Sequence, residues 1–329
     1  MKHWYASVNY GLEAIVASII KTYGAKNIKT MDSAVTFSCE SEIEIKCINN
    51  LFVVLSSFRC ENIAEAAKRA AGLAFSFPQV TGKSFRVIVM DCGKLRAIPP
   101  SGMAEIERNI SRQSKLVVHR AKPDIEVWLN RRNDGATFFM VRTKKHASFD
   151  KSLKQGELRP DVVDIMLHSA KIRKHGVIAD LFGGWGAIAA AAAESGRCKK
   201  IYTGDIDVEC ARYQKARLRK WSNCVAQKWD ARRLPLEDAS VDSVVTDPPW
   251  GEYAEIEAQQ FYDEFLREAA RILRADGSLV FLSSAESEAR QSLEKHGFSY
   301  SRTPLKIGGK NAFLFCAERK KEHIASRRP

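Results

Sequence analysis

Residues 245–251 read Val245-Thr246-Asp247-Pro248-Pro249-Trp250-Gly251, placed straight after an apolar β-type run, Val241-Asp242-Ser243-Val244-Val245. An acidic residue, two prolines and an aromatic ring in this order suit one chemistry, methylation of an exocyclic amine on a nucleobase. Such an amine is a poor nucleophile because its lone pair is delocalised into the ring. A site that accepts hydrogen bonds from the NH2 group localises that pair, and fixed negative dipoles stabilise the positive charge that develops. Asp247 can supply a carboxylate acceptor, and Pro248 a backbone carbonyl, since proline keeps its carbonyl while fixing φ. Trp250 offers a flat face on which a base can stack, worth about 1–3 kcal/mol per base in single-stranded recognition. Asp247, Pro248, Pro249 and Trp250 are therefore the candidate catalytic residues. Asp-Pro is also ordinary turn chemistry, so the run gains meaning only from what precedes it.

A cofactor site precedes it in the right order. The apolar run Val177-Ile178-Ala179-Asp180-Leu181-Phe182 ends in Gly183-Gly184-Trp185-Gly186, and an alanine-rich, helix-prone stretch, Ala187 to Ser195, follows. Strand, glycine-rich turn and helix is the layout in which a ligand sits at the carboxyl end of a parallel strand. Glycine lets the backbone approach that ligand with no Cβ in the way. A nicotinamide enzyme would look similar at this point. The next strand, Ile201-Tyr202-Thr203-Gly204, ends in Asp205-Ile206-Asp207, where a carboxylate can bind two ribose hydroxyls, a spacing that a dinucleotide site shares. A third run, Cys224 to Trp229, ends in Asp230, which can accept from an adenine amino group. Each carboxylate alone would read as a helix cap or a solvated loop residue. Asp180, Asp205 and Asp230 recur 25 residues apart at three successive strand ends. Carboxylates are depleted from sheets, so the recurrence points to a nucleoside-bearing ligand.

On these motifs, residues 150 to 318 resemble a Rossmann-type S-adenosylmethionine-dependent methyltransferase of the amino-methylating group. Within it they are most similar to the THUMP-containing tRNA guanine-N2 methyltransferases. The resemblance is carried by Asp180-Leu181-Phe182-Gly183-Gly184-Trp185-Gly186, Gly204-Asp205-Ile206-Asp207, Trp229-Asp230-Ala231 and Asp247-Pro248-Pro249-Trp250-Gly251. Leu158-Arg159-Pro160, followed by the apolar stretch Val162 to Ala170, resembles the family segment preceding the first strand. The resemblance implies a seven-stranded Rossmann-type α/β sheet. It also implies S-adenosyl-L-methionine as cofactor, bound by Leu158, Pro160, Asp180, Phe182, Gly183, Gly184, Gly186, Asp205, Ile206, Asp230 and Ala231. The chain departs from the family pattern at Trp185, where a small residue is usual, and at Ala187, where Thr or Ser is common. It departs again at Trp250, where Tyr or Phe is usual.

The amino-terminal half shares none of this grammar, and 329 residues are enough for two cores. Up to residue 150 there are 22 Lys+Arg against 14 Asp+Glu, a net of +8; the remainder holds 30 against 25, a net of +5. Residues 108 to 145 carry ten basic side chains and three acidic ones. A stripe of this kind is an electrostatic footprint for phosphate backbones, although charge runs also occur as solvated helix faces. Arg108, Arg112, Lys115, Arg120, Arg131, Arg132, Lys144 and Lys145 are the candidate RNA-binding residues. An amphipathic stretch from Ala14 to Ile20, a strand over Phe85–Val89 and a helix from Met103 to Ser114 are expected. Two strands, Ile125–Leu129 and Thr137–Val141, should meet around the turn Asn133-Asp134-Gly135. Gly11-Leu12-Glu13 and Pro123-Asp124 carry a resemblance to a ferredoxin-like region followed by a THUMP domain. That likeness implies tRNA, gripped near its acceptor stem and 3′ end. The expected organisation is a ferredoxin-like plus THUMP region over 1–147, a linker over 148–160, the methyltransferase domain over 161–318 and a basic tail over 319–329.

Eight cysteines show no CxxC pair and no histidine partner at metal spacing, so neither zinc nor disulfides are expected. Free thiols fit a reducing, cytoplasmic setting. The apolar run Ala14–Ile20 is short, follows Glu13 and ends at Lys21, which is unlike a signal peptide, and nothing approaches the length of a membrane span. Methyl transfer from a sulfonium releases a neutral leaving group, so the lack of a hydrolase-like histidine counts against nothing. The same acidic run serves adenine-N6 or cytosine-N4 methylation of DNA equally well. A non-catalytic RNA-binding protein on the same scaffold is the alternative of a different class.

Overall fold

The computed structural model describes residues 1–77, 82–145, 153–250, 255–307 and 309–320, with only the backbone described at 145, 255 and 256. Gly251, the side chain of Lys145, the first part of the expected linker and nearly all of the expected tail thus lie outside the described residues. Two compact units are distinguished by contact: Met1–Val8, Ala17–Glu44 and Ile48–Ala147 form the first, and Asn9–Val16, Ile45–Cys47 and Ser148–Pro329 form the second.

The first unit is built on one sheet of nine strands among the described residues. Its centre is the hairpin expected from the Asn-Asp-Gly turn: Ile125–Arg131 pairs antiparallel with Ala136–Lys145. Gly135 takes φ +80 there, and its N–H bonds to the Arg132 carbonyl. Asn130 and Arg131 sit opposite Phe138 and Thr137, the register such a turn imposes. Ser84–Asp91 runs parallel to Ile125–Arg131, and the connection between them carries the helix Pro100–Ser114. Ile106 and Ile110 of that helix and Ala66, Ala67 and Ala70 of the helix Ile63–Gly72 pack over Phe85, Val127, Leu129 and Phe139. Asp124 ties the ladder's start by accepting from the Lys83 and Ser84 backbone N–H groups and from the Ser84 hydroxyl.

The second unit carries a seven-stranded sheet. Across it lie Cys224–Lys228, Cys198–Asp205, Gly176–Asp180, Val241–Thr246, Leu273–Ser283, Lys310–Arg319 and Phe298–Ile307. In order of appearance this is 3-2-1-4-5-7-6. The first five strands are parallel and the last two join as an antiparallel hairpin. Parallel strands covered on both faces read as continuous apolar runs, and Val241–Thr246 is buried at every position. Asp242 belongs in that strand because Val177 N–H and Arg274 both bond to its carboxylate. The alanine-rich helix Ala187–Glu194 follows the first strand, buries Ile188, Ala189, Ala190, Ala192 and Ala193, and so lies close on the sheet. Phe265, Leu266, Phe281 and Phe315 form the centre of the core beneath the fourth and fifth strands.

The carboxyl edge of this sheet is where the chain is tightest. A Cβ on Gly204 would lie 2.3 Å from the Gln227 carbonyl oxygen and 2.6 Å from the Trp229 ring. Backbone cannot yield as a flexible side chain does. Gly204→Ala should therefore destabilise the second unit by about 1–3 kcal/mol, read from the shift of its urea midpoint at unchanged slope; an unmoved midpoint would mean that the strand ends are loose.

Candidate active site

Because the ladders are in register, four carboxylates gather at one edge. Asp180 pairs with Thr203, two residues before Asp205. Ala179 pairs with Val244, so Asp247 lies just past the neighbouring strand's end. Asp205 pairs with Lys228, two residues before Asp230. The edge includes the point between the first and fourth strands where the order reverses, the place at which open α/β sheets bind ligands.

Asp180 is the residue most tightly held. It is 2% exposed, and its Oδ1 accepts from the Thr246 hydroxyl at 2.9 Å. Thr246 Oγ1 in turn accepts from Leu181 N and Phe182 N at 3.1 and 3.0 Å. Among the described residues Asp180 Oδ2 has no hydrogen-bond partner. Burial pushes this carboxyl up to about 8, and the nearby Asp247 and Asp205 charges add to the rise. A buried acceptor without a donor is costly, so this oxygen is built for a donor or cation that arrives with a ligand.

The glycine turn is shaped from behind. A Cβ on Gly183 would lie 2.3 Å from Thr203 Oγ1 and 2.7 Å from Gln214 Nε2. Gln214 bonds both Thr203 Oγ1 and the Gly184 carbonyl. Gly184 and Gly186 take φ of +48° and +78°, a region costly for side chains with a Cβ, and Gly186 caps the helix Ala187–Glu194. Trp185, where the family pattern usually has a small residue, donates from Nε1 to the Gln155 carbonyl at 3.0 Å. The Lys154 ammonium lies 4.4 Å from its ring centroid and 4.5 Å from that of Tyr213.

Asp205 accepts from Gly184 N at 2.9 Å and from Asp207 N at 3.0 Å, which fixes its carboxylate and leaves lone pairs on both oxygens. Beside it Ile206 is 61% exposed, an apolar surface available to a flat ligand. Asp230 is gripped by Arg232 through Nε and Nη2 at 3.0 and 2.8 Å, a pairing that holds the carboxyl below its usual range. Asp247 is only partly accessible, and desolvation raises its carboxyl to about 7. The Trp250 indole Nε1 donates to Asp247 Oδ1 at 2.7 Å, opposing that rise. Pro248 is buried and Pro249 exposed.

Not every expected residue is at the edge. Phe182 packs edge-on against Phe265 and Ala231 is buried in the same core, so both support the ligand edge from inside. Leu158 and Pro160 are partly buried, with Pro160 opening the helix Pro160–Ser169. Thr246, Gln214 and Arg232 were not anticipated. Thr246 had a signal in its place at the end of an apolar strand, next to Asp247; the other two show only through their partners.

In the first unit the basic residues divide. Arg131 pairs with Asp91, Arg142 with Glu126 and Arg120 with Glu107. Arg132 donates to the Tyr5 hydroxyl and the Asp32 carbonyl, and Lys144 lies 4.0 Å from Glu44. Arg108, Arg112, Lys115 and Lys122 are exposed, and among the described residues none of them forms an ion pair. All eight cysteines are free thiols. Among the described residues no acidic, histidine or cysteine cluster could hold a metal, and no helix is long and apolar enough to cross a membrane.

The strand order, the glycine turn and the carboxylate row at the reversal point define a Rossmann-type methyltransferase domain. Residues 150–309 match the family model described as the RMKL-like methyltransferase domain. A curated protein from Thermus thermophilus named tRNA (guanine(6)-N2)-methyltransferase is 28% identical over 230 residues, 66% of this chain and 67% of that one. Among solved structures, TrmN from Thermus thermophilus superposes with a TM-score of 0.77 at 21% identity, covering 97% of this chain and 100% of the other. A methyltransferase complexed with SAH superposes with a TM-score of 0.73 at 12% identity over 97% of this chain and 98% of that one. Both superpositions extend the shared fold through the amino-terminal half.

A carboxyl raised from 3.8 to about 8 favours the folded chain while protonated. That contribution is complete below about pH 4 and is lost as the pH rises through 8. Asp180→Asn should therefore flatten the fall of unfolding temperature between those limits in the ligand-free chain. A variant with the wild-type slope would show that Asp180 is not held protonated.

Proposed function

We propose that the chain is an S-adenosyl-L-methionine-dependent methyltransferase that methylates the N2 amine of guanine in tRNA, giving N2-methylguanosine or N2,N2-dimethylguanosine. The observation that carries this reading is Asp247, at a strand end beside the bare oxygen of Asp180, with the Pro248 carbonyl following it. The 28% identical relative, whose name is tRNA (guanine(6)-N2)-methyltransferase, supplies the substrate class.

The cofactor fits the acceptors present. Asp180 Oδ2 is an acceptor awaiting the ammonium of a methionyl group, and the turn Gly183–Gly186 leaves backbone open to it. Asp205 has lone pairs for ribose hydroxyls, and Asp230 for an adenine amine. Bound there, the cofactor supplies a methyl group on a sulfonium that departs as a neutral thioether. The protein's work is done at the other reactant. Asp247 and the Pro248 carbonyl accept from the two N–H groups of the guanine amine and turn its lone pair toward the methyl carbon. Asp247, raised to about 7, then stands ready to take the proton that the alkylated nitrogen sheds. The base reaches this edge only by leaving its stack. The exposed cations Arg108, Arg112, Lys115 and Lys122 would meet the phosphates of the acceptor-stem end.

Transfer of labelled methyl to total tRNA, followed by digestion to nucleosides, tests the reading directly. Label in N2-methylguanosine or N2,N2-dimethylguanosine is expected; label in a methylated adenosine or cytidine would overturn the base, and label only in DNA would overturn the substrate class. Asp247→Ala should lower turnover by at least about 10²-fold while calorimetry still finds cofactor binding. If binding is lost instead, Asp247 belongs to the cofactor site.

A further inference from the structure

Trp250 does something that a phenylalanine at its place could not do. Its indole Nε1 donates to Asp247 Oδ1 at 2.7 Å. Asp247 sits among groups that do not help it hold a charge. From the strand Gly176–Asp180 it meets Asp180, itself a carboxyl with one bare oxygen, and Asp205 lies beyond. On the other side the strand Leu273–Ser283 places Phe281 opposite Thr246 and carries no charged residue from Gly277 to Ser283. Of the charged groups described on the helix Glu255–Ile272, Glu257 is exposed, Asp263 pairs with Lys295, Glu264 with Arg232 and Glu268 with Arg271, and Arg267 acts on Glu268. Among the described residues no Lys or Arg forms an ion pair with Asp247. The indole N–H is thus the hydrogen-bond donor that the motif supplies to its own carboxylate.

We propose that Trp250 is a positioning residue for methyl transfer, its indole N–H fixing Asp247 Oδ1 so that Oδ2 is left to accept from the substrate amine. This rests on the exocyclic-amine reading of the site. An ionised Asp247 has both oxygens free to accept, one from the indole and one from the amine, whereas a protonated one would turn an O–H toward one of these donors. During transfer the amine nitrogen bonds to the methyl carbon as the carbon–sulfur bond breaks and its electron pair leaves with sulfur. The proton shed by nitrogen passes to Asp247 Oδ2 and from there to water. The arrangement is independent of base identity, since any exocyclic NH2 presents the same donor. It also separates two duties within one side chain: the ring face remains for the base, while the ring N–H serves the carboxylate.

The full ligand-free chain, labelled with 13C at aspartate carboxyls and titrated by NMR, reads the hydrogen bond directly. Asp247→Asn assigns the resonance. Trp250→Phe removes the donor and keeps a ring, and should move the Asp247 midpoint upward by about one pH unit, the weight of one hydrogen bond to a charged acceptor. Trp250→Tyr, which also lacks the indole N–H, should shift it in the same direction. Midpoints unmoved in both folded variants would overturn the proposal. Methyl transfer to tRNA between about pH 5.5 and 9 gives the second readout. The deficit of Trp250→Phe should be about tenfold on the acid side and shrink as the pH rises. A deficit constant across pH would mean that the ring only stacks, and would overturn the positioning role. Should the wild-type chain methylate no tRNA, the proposed substrate falls, and the titration still decides whether Trp250 holds Asp247 ionised.

Discussion

The second unit is organised around a carboxylate that its own fold leaves half satisfied. Asp180 closes the first parallel strand, is buried, and receives a hydrogen bond from Thr246 on one oxygen, while among the described residues its other oxygen receives none. Such a group raises the free energy of the ligand-free chain, and a domain keeps it only where a ligand repays it. Everything near it follows from the need to hold that oxygen still. Thr246 spans the gap between the first and fourth strands, donating to Asp180 and accepting from Leu181 and Phe182 N–H groups. A single hydroxyl therefore fixes the start of the glycine turn, the buried acid at the strand end and the position from which Asp247 projects. Gln214 completes the frame from the next helix, and its contacts are why Gly183 tolerates no side chain.

Much of this was legible in the sequence, for a reason that lies in the geometry of parallel sheets. A strand buried on both faces is largely apolar, so an aspartate at or just past its end marks both the end of the strand and the edge where ligands bind. Asp180, Asp205, Asp230 and Asp247 each carry that mark, and the ladders place them side by side. The hairpin about Asn133-Asp134-Gly135 was legible for the equally local reason that its turn demands positive φ at Gly135. Thr246 and Gln214 were not legible, because what they do depends on partners 66 and 30 residues away. The same distance hides the crossing of the last two strands, whose order 7-6 depends on which edge the closing hairpin joins.

The basic stretch between residues 108 and 145 shows the limit of counting charges. On sequence it is a uniform stripe. In the fold, the positions that fall on strands meet acids from other segments: Arg131 meets Asp91 on the parallel neighbour, and Arg142 shares Glu126 with Arg86. Those guanidiniums bridge the sheet, and Arg142 also lies over the Trp128 ring. What remains facing water comes from the helix Pro100–Ser114 and the segment after it. A polyanion would therefore meet a patch smaller than the composition suggests but less encumbered by competing carboxylates, since salt bridges that already exist must break before an arginine can serve a phosphate.

The two tryptophans that depart from the family pattern are accommodated by opposite means, and the contrast explains why both are tolerated. Trp185 interrupts a glycine turn, where bulk would ordinarily block the backbone's approach to a ligand. Its ring is instead taken up away from the turn: the indole N–H goes to the Gln155 carbonyl, Tyr213 packs edge-on, and the Lys154 ammonium lies against both rings. Arg217 holds the Trp185 carbonyl and pairs with Glu157, so the stretch Lys154–Glu157 is pinned to the turn at both ends. The residue that might have obstructed the loop thereby anchors the segment leading to Leu158 and Pro160, and the glycines on either side keep their open backbone. Trp250 has no such retreat, because its indole stays beside Asp247 at the ligand edge. Its extra atom, the indole nitrogen, is turned to the one neighbour that gains from a donor. In both cases the departure from a smaller or simpler side chain is compensated by a hydrogen bond from the indole N–H, which a small residue or a phenylalanine could not make.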